Sequence, residues 1–475
     1  MGFSFLPSDA QIWKKNEILL SEDISDGLIE DINKDGKKDL LLIAGNFVNI
    51  FFQNERGFSG IPDERVYYDL LGEYIDVGEV DPLSPGLELL GLSEKGVKCF
   101  HNDGSHYVER PGYLVSAKVD MPEYMLGPLV SDFAFDINSD GQDEIFLLKD
   151  NKIHICASNN LGQLIAFPID IADKLLICSL QSKAQIETRP PTKGVNNPSF
   201  LYQPSIREEN FIFLQDFNSD GRLDLASKGL HLQESKSLFR SVDPSSIDSK
   251  IPIDKGSFKF YLDIDRDGSL DLILIEVKDI FTQNINVFPF AKVFIYMKKN
   301  GRFVQTPDFF QKTILVSDQP PFVDVDGDGD LDFISVWSEI TPGSKEDILQ
   351  VLLESTWNFA FRCYLFNKDK GYSIRPDIYL QTKIKQDISQ LSMEIPFDIS
   401  GDIDGNGTHD LIIRKDSESV YIYFLDLKAK KYIAMVKRLD TPVDLKGYQI
   451  VDLDRNGKSD LLFLTHNGVH IYFSI

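Results

Sequence analysis

Cysteine is scarce in this chain: four in 475 residues, at Cys99, Cys156, Cys178 and Cys363, each inside an apolar run such as VKCF or FRCY. No C-x-x-C pair occurs, so a cysteine zinc site and a thioredoxin-like dithiol both lack support. The four are expected as buried free thiols, with a single Cys156–Cys178 disulfide as the alternative. Basic residues are also short: 49 Lys and Arg stand against 74 Asp and Glu, for a formal net charge of −25. A field of that sign repels polyanions and excludes a nucleic-acid-binding protein of the usual basic kind. Long apolar runs are missing too, and none reaches the ~18 residues that a membrane helix needs. The N-terminal MGFSFLPSDAQIWKK has neither the basic start nor the apolar core of a secretion signal. Apolar residues still make up 42%, ample for cores and too many for a disordered chain.

Acid is gathered instead into a repeat. The nonapeptide D-x-[DN]-x-[DN]-G-x-x-[DE], followed by an apolar residue, occurs seven times. The copies are DINKDGKKD (Asp31–Asp39), DINSDGQDE (Asp136–Glu144), DFNSDGRLD (Asp216–Asp224) and DIDRDGSLD (Asp263–Asp271). DVDGDGDLD (Asp324–Asp332), DIDGNGTHD (Asp402–Asp410) and DLDRNGKSD (Asp452–Asp460) follow. An eighth, decayed copy stands at Asp81–Glu88, one residue short and with Leu83 and Pro85 at ligand positions. First aspartates at 31, 81, 136, 216, 263, 324, 402 and 452 give gaps of 50, 55, 80, 47, 61, 78 and 50 residues. A unit of about 50 residues with several enlarged members accounts for the chain.

The residue types suit a hard divalent cation, which takes about six to eight oxygens at about 2.3–2.6 Å. Positions one, three and five supply Asp31, Asn33 and Asp35; Asp136, Asn138 and Asp140; Asp216, Asn218 and Asp220; and Asp263, Asp265 and Asp267. The later copies supply Asp324, Asp326 and Asp328; Asp402, Asp404 and Asn406; and Asp452, Asp454 and Asn456. Gly at position six permits the sharp turn. Position seven offers only its carbonyl, so its side chain varies: Lys37, Gln142, Arg222, Ser269, Asp330, Thr408 and Lys458. The acid at position nine (Asp39, Glu144, Asp224, Asp271, Asp332, Asp410, Asp460) closes the cage. Magnesium prefers fewer protein ligands and more water, so calcium, at up to seven structural sites, is the expected ion. The decayed copy is expected to hold none.

An EF-hand starts with the same loop but needs an acid at position twelve and flanking helices. Position twelve here is Leu42, Leu147, Ser227, Leu274, Ser335, Ile413 and Phe463. The flanks read as strands: position two is always apolar, and runs such as LLLI, LILI and LLFL follow position nine. The motifs resemble the calcium-binding FG-GAP/VCBS repeats, which form the blades of integrin-α-type β-propellers, and the resemblance covers nearly the whole chain. It implies an all-β fold: one β-propeller over residues 1–475, of eight four-stranded blades, with seven as the alternative. It implies little about function, since such repeats serve adhesion proteins, lectins and polysaccharide lyases alike.

The rest of each unit supports a blade of strands A to D, with the acidic loop as the A–B hairpin. A second signature reads as strand C, a polar turn and the start of strand D: VNIFFQNERGF, VKCFHNDGSHY, VFIYMKKNGRF, YLFNKDKGY and VYIYFLDLKAKKY. The last unit stops after its C strand, so QIWKKNEILL near the N-terminus is expected to supply the missing D strand and close the ring.

Long insertions near 182–209, 278–286 and 338–347 fall before an A strand or after a B strand, which assigns them to the face opposite the acidic loops. Aromatics at or near their ends (Phe200, Tyr202, Phe281, Trp337, Trp357, Phe359) are the candidate ligand-binding residues. None of the seven histidines stands in a catalytic motif, so no catalytic residue is assigned. The expectation is a calcium-stabilised, monomeric, extracellular or cell-surface module binding a glycan or protein partner. The alternative is a carbohydrate-active enzyme of the polysaccharide lyase type. A signal peptide is presumed to have been removed.

Overall fold

The computed structural model describes residues 13–67, 74–104, 106–119, 129–130, 133–136, 140–149, 152–156, 257–267, 269, 271–278, 290–299, 302–314, 322–338, 356–385, 397–416, 419–433, 437–440, 442, 445 and 447–475. It also describes the backbone of strands between residues 164 and 242. Every regular element among the described residues is a strand, and most pairs are antiparallel neighbours in sequence.

The strands form successive up-and-down meanders, each starting just before an acidic loop. The first comprises Ile24–Glu30, Asp39–Ala44, Phe47–Phe51 and Glu64–Tyr67. The second has Tyr74–Gly78, Glu88–Ser93 and Gly96–Asn102, and the third Ala134–Phe135, Glu144–Lys149, Lys152–Cys156 and Leu164–Asp170. Next come Phe211–Gln215, Asp224–Ala226, Leu230–Ser235 and Leu238–Val242. Ser257–Leu262, Asp271–Lys278, Phe290–Tyr296 and Phe309–Ile314 follow, then Phe322–Val323, Asp332–Ser338, Thr356–Tyr364 and Ile378–Lys385. The seventh meander is Phe397–Gly401, Asp410–Asp416, Ser419–Tyr423 and Lys437–Asp440. The last three strands, Gly447–Val451, Asp460–Leu464 and Gly468–Ser474, are completed by the N-terminal Trp13–Leu19. That strand runs antiparallel to Gly468–Ser474 from Trp13↔Ser474 to Leu19↔Gly468, as the sequence leads one to expect. It covers an edge that would otherwise expose unpaired amides and carbonyls.

The apolar runs after position nine lack simple alternation because both faces of their sheets are covered. In Asp39–Ala44 all six residues are buried. Leu40 and Leu42 pack with Leu453, Leu462 and Leu464 of the last sheet, while Leu41 and Ile43 pack with Ile75, Val77 and Leu89 of the second. The same sharing joins Leu90 to Ile145 and Leu147, Ile273 and Val293 to Phe333, Phe361 and Cys363 to Leu411 and Ile413, and Ile412 and Ile422 to Leu461 and Phe463. Each side chain removed from water on either face contributes about 1.5–3 kcal/mol. Among the described residues the core is therefore a series of layers between neighbouring sheets, with the last sheet packed on the first.

Three inner edges gain extra strands. Leu129–Val130 pairs parallel with Tyr74–Gly78, and Leu176–Ser179 parallel with Phe211–Gln215. Ala184–Ile186 pairs antiparallel with Ile24–Glu30 at Ala184↔Ile29. The start of the 182–209 insertion is thus a strand on the first sheet, where the sequence reading has a loop. The free backbone edge of Ile24–Glu30 supplies the reason. Residues 187–209, 279–289 and 339–355 lie outside the described residues, and so do Phe200, Tyr202 and Phe281. The buried thiols of Cys99 and Cys363 are free, and burial pushes the Cys99 thiol up to about 12. Cys156 is buried, while the Cys178 side chain, and with it a Cys156–Cys178 pair, lies outside the described residues.

Candidate metal centres

Among the described residues, the acidic loops are tight hairpin turns wound around their own carboxylates. The position-one aspartate accepts the N–H of the position-six glycine: Gly36 to Asp31 at 2.9 Å, Gly329 to Asp324 at 2.9 Å, Gly407 to Asp402 at 2.8 Å and Gly457 to Asp452 at 2.9 Å. That glycine has φ between +81° and +99° in these four loops, a conformation that a side chain strains. The position-three oxygen accepts the position-five N–H, as Asp326 does from Asp328 at 3.3 Å and Asp454 from Asn456 at 3.2 Å. The position-five oxygen accepts the position-seven N–H, as Asp328 does from Asp330 at 2.9 Å and Asn456 from Lys458 at 2.8 Å.

This winding aims three carboxylates at one point. Oxygens of Asp263, Asp265 and Asp271 lie within 4.8 Å of one another, and the same holds for Asp324, Asp326 and Asp332, for Asp402, Asp404 and Asp410, and for Asp452, Asp454 and Asp460. The converging set is positions one, three and nine. The position-five aspartates Asp267 and Asp328 do not belong to it; an oxygen of each accepts the backbone N–H two residues on. The Asp31 loop carries Asn33 at position three, and Asp31 Oδ1 is buried there without a hydrogen-bond partner. Of the Asp136 loop, Asp136 and residues 140–144 are described, with Gly141 donating to Asp136 at 2.7 Å and Glu144 buried. Asn138 and positions 216–223 (Asp216, Asn218, Asp220, Arg222) lie outside the described residues, as does the side chain of Asp224.

The position-nine acid does more than face the cage. In five loops one oxygen accepts the position-two N–H and the other an N–H at or just beyond the end of strand C. Asp332 bonds Val325 N and Phe366 N at 2.8 Å each, Asp410 bonds Ile403 N at 2.8 Å and Leu425 N at 3.1 Å, and Asp460 bonds Leu453 N at 2.9 Å and Ser474 N at 2.7 Å. Asp39 and Asp271 do the same toward Gln53 and Lys298. All five are buried, and burial pushes each carboxyl up to about 7 despite those amides. The position-three carboxyls Asp265, Asp326 and Asp404 are raised as well, chiefly by burial and further by neighbouring carboxylates. An all-oxygen set with its carboxylates held close, one of them buried, is what a hard divalent cation would neutralise.

Consecutive loops are joined. The position-eight N–H donates to the position-two carbonyl of the preceding loop: Leu87 to Ile32 at 2.8 Å, Leu331 to Ile264 at 2.9 Å, His409 to Val325 at 2.9 Å, and Lys38 back to Leu453 at 3.0 Å. Ser459 instead reaches the Asp402 carbonyl at 2.6 Å. The decayed loop keeps this turn without its cage. Glu88, fully buried, accepts the Val80 N–H at 3.1 Å, and the Asn102 amide lies against Gly86, where a side chain would displace it.

Sequence reasoning missed a second clasp. Tyr107 and Tyr372, which close two of the C-strand signatures, tuck under acidic loops; Tyr107 also starts the short strand Tyr107–Glu109 that pairs with strand C, as the sequence leads one to expect, whereas Phe58, Phe303 and Tyr372 lie outside any strand. Tyr372 donates its hydroxyl to Leu331 O at 2.6 Å, and Tyr107 to Leu87 O at 2.9 Å. Strand D starts later, next to a Pro-Asp pair in three units: Pro62-Asp63, Pro307-Asp308 and Pro376-Asp377. Each of these aspartates accepts an N–H just beyond strand C, from Phe52 at 2.8 Å, Met297 at 2.9 Å and Leu365 at 3.2 Å. The spaced aromatic-to-Pro-Asp pattern was the available signal.

Among the candidate aromatics, Trp337 and Trp357 lie within strands, opposite Ala360 and Ile384. Arg362 stacks over the Trp337 ring at 5.5 Å from its centroid. Phe359 is 1% exposed and belongs to the core between two sheets, so it is a packing residue and not a ligand contact.

No helix among the described residues is long and apolar enough to cross a membrane. No family model matches the chain, and no curated protein matches it in sequence. Among solved structures it is similar to BBS1N in its complex with ARL6DN, at 10% identity over 98% of this chain and 97% of that one, with a TM-score of 0.35. It is also similar to the V. cholerae biofilm matrix protein Bap1, at 11% identity over 94% of this chain and 76% of that one, with a TM-score of 0.29.

Proposed function

We propose that the chain is a β-propeller of eight four-stranded blades built from FG-GAP/VCBS-type repeats, with calcium in its A–B hairpins. In this reading it works outside the cell or at its surface as a binding or adhesion module. The observation that carries the calcium assignment is the convergence of carboxylates from positions one, three and nine within 4.8 Å in four separate loops. Supporting the propeller are the repeated four-stranded meander, the apolar layers between consecutive sheets and the pairing of Trp13–Leu19 with Gly468–Ser474. Calcium stabilises by binding the folded chain alone, and extracellular calcium is abundant enough to keep such sites filled.

In this reading a glycan or protein partner docks on the face away from the acidic loops, to which strand order in the sequence assigns the insertions near 182–209, 278–286 and 338–347. Long connections on a rigid scaffold are where recognition residues usually sit. The test is a screen of immobilised glycans, acidic polysaccharides and matrix proteins, with and without EGTA. Each polysaccharide is checked afterwards for new ultraviolet absorbance from unsaturated ends. Retention without absorbance supports a binding module; new absorbance replaces it with a lyase; no retention on any surface refutes the recognition role.

A further inference from the structure

The junction between the last acidic loop and the first differs from those between loops 324 and 402 and between 402 and 452. Position four of the described loops, at Lys34, Arg266, Gly327, Gly405 and Arg455, points at the next loop round. Where it is glycine, no side chain reaches across: a Cβ on Gly327 would collide with Gly407 O, and one on Gly405 would lie 2.9 Å from the Lys458 side chain. The last loop has Arg455 there instead, held at φ +58°. The hydrogen bond from Lys38 N–H to Leu453 O at 3.0 Å sets the register of the two loops. In that register the guanidinium lies over Gly36, where a Cβ would come within 2.8 Å of Nη1, and Nη2 reaches Asp31 Oδ2 at 3.2 Å. Asp31 is the position-one residue of the first loop, and its other oxygen is buried without a hydrogen-bond partner. Lys34, at position four of this first loop, pairs in the same direction with Glu79 beside the decayed loop.

We propose that Arg455 is a positioning residue that sets the divalent-cation affinity of the Asp31–Asp39 loop from the neighbouring loop. This rests on the reading of the acidic loops as calcium sites. In the cation-free chain the guanidinium balances Asp31. When a divalent cation enters, the two positive charges share one carboxylate and repel. Arg455 is 61% exposed, so solvent and salt screen the repulsion, and the expected effect on affinity is about three- to tenfold at low ionic strength. The Asp31 site therefore fills after the sites at Asp402 and Asp452, whose preceding loops carry Gly327 and Gly405.

The test is a calcium titration by calorimetry in low-salt buffer, with ions counted by native mass spectrometry, on the intact chain and on Arg455→Met, Asp31→Asn and the double variant. Melting in EGTA checks that each folds, which the exposure of Arg455 favours. The expected result is that Arg455→Met tightens one weak site about three- to tenfold, that the gain shrinks in 0.5 M salt, and that Asp31→Asn removes one ion and abolishes the gain. Unchanged or weakened affinity in Arg455→Met, with calcium still bound by the intact chain, overturns the role of Arg455 alone. A gain that survives Asp31→Asn also overturns it, because the effect then lies at another site. An intact chain that takes up no calcium overturns the reading of the loops and this inference with it.

Discussion

Five buried position-nine aspartates make stability depend on pH in opposite directions with and without calcium. Asp39, Asp271, Asp332, Asp410 and Asp460 are pushed by burial up to about 7 in the cation-free protein, against about 3.9 for an aspartate in an unfolded chain. Their folded state binds more protons than the unfolded state between those values, so cation-free stability falls as pH rises through that window and rises as pH is lowered. Between pH 7 and pH 6 each group contributes about 1 kcal/mol, and five groups in separate loops about 5 kcal/mol. A chain of 475 residues has a melting entropy of about 1 kcal/mol/K, so the expected rise in Tm is about 5 °C. With millimolar calcium the sign reverses, because the ion requires ionised carboxylates and protons compete with it. Melting curves by circular dichroism at pH 8, 7, 6 and 5, in EGTA and in calcium chloride, read this directly. A melting temperature in EGTA that falls steadily from pH 7 to 6, or parallel pH profiles in the two buffers, refutes the reasoning.

Removing residues 1–19 deletes the strand paired with Gly468–Ser474 and the buried Trp13 and Ile18; we expect a Tm at least about 5 °C lower and oligomers on size-exclusion chromatography through the exposed edge, whereas a monomer with unchanged melting contradicts the closure. Tyr372→Phe removes the hydroxyl donated to Leu331 O at 2.6 Å and should lower stability by about 1 kcal/mol, measured as a shifted urea midpoint at constant slope. Gly36→Ala forces a side chain into φ +96° and against Arg455 and should cost about 1–2 kcal/mol, seen as an earlier melt in both EGTA and calcium; a melt equal to that of the unchanged protein would show that the turn relaxes freely.

The loops, their neighbouring strands and the pairing of the N-terminal strand with the last one were legible because they depend on local chemistry. Alternating oxygen ligands around a glycine, an apolar position two and a terminal unit lacking its D strand are all visible along the chain. What sequence reading did not reach is long-range. That Leu40 and Leu41 face different sheets is set by sheet packing, not by their neighbours in sequence. The Asp332 contact with Phe366 and the Tyr372 contact with Leu331 each span more than thirty residues. Arg455 meets Asp31 across 424 residues. Phe359 was misjudged because a strand that extends beyond its insertion carries the aromatic inward. The Pro-Asp signature was there to be read, but its physical meaning needs the strand-C amide that the aspartate accepts.

The claim on which most of this rests is that the intact acidic loops hold calcium and the decayed one does not. Native mass spectrometry of the chain, of Asp324→Ala and of Asp81→Ala after exchange into calcium tests it most directly. The account predicts up to seven bound ions, one fewer in Asp324→Ala and the same number in Asp81→Ala. Absence of bound calcium in the unmodified chain, or the loss of an ion in both variants, would contradict it.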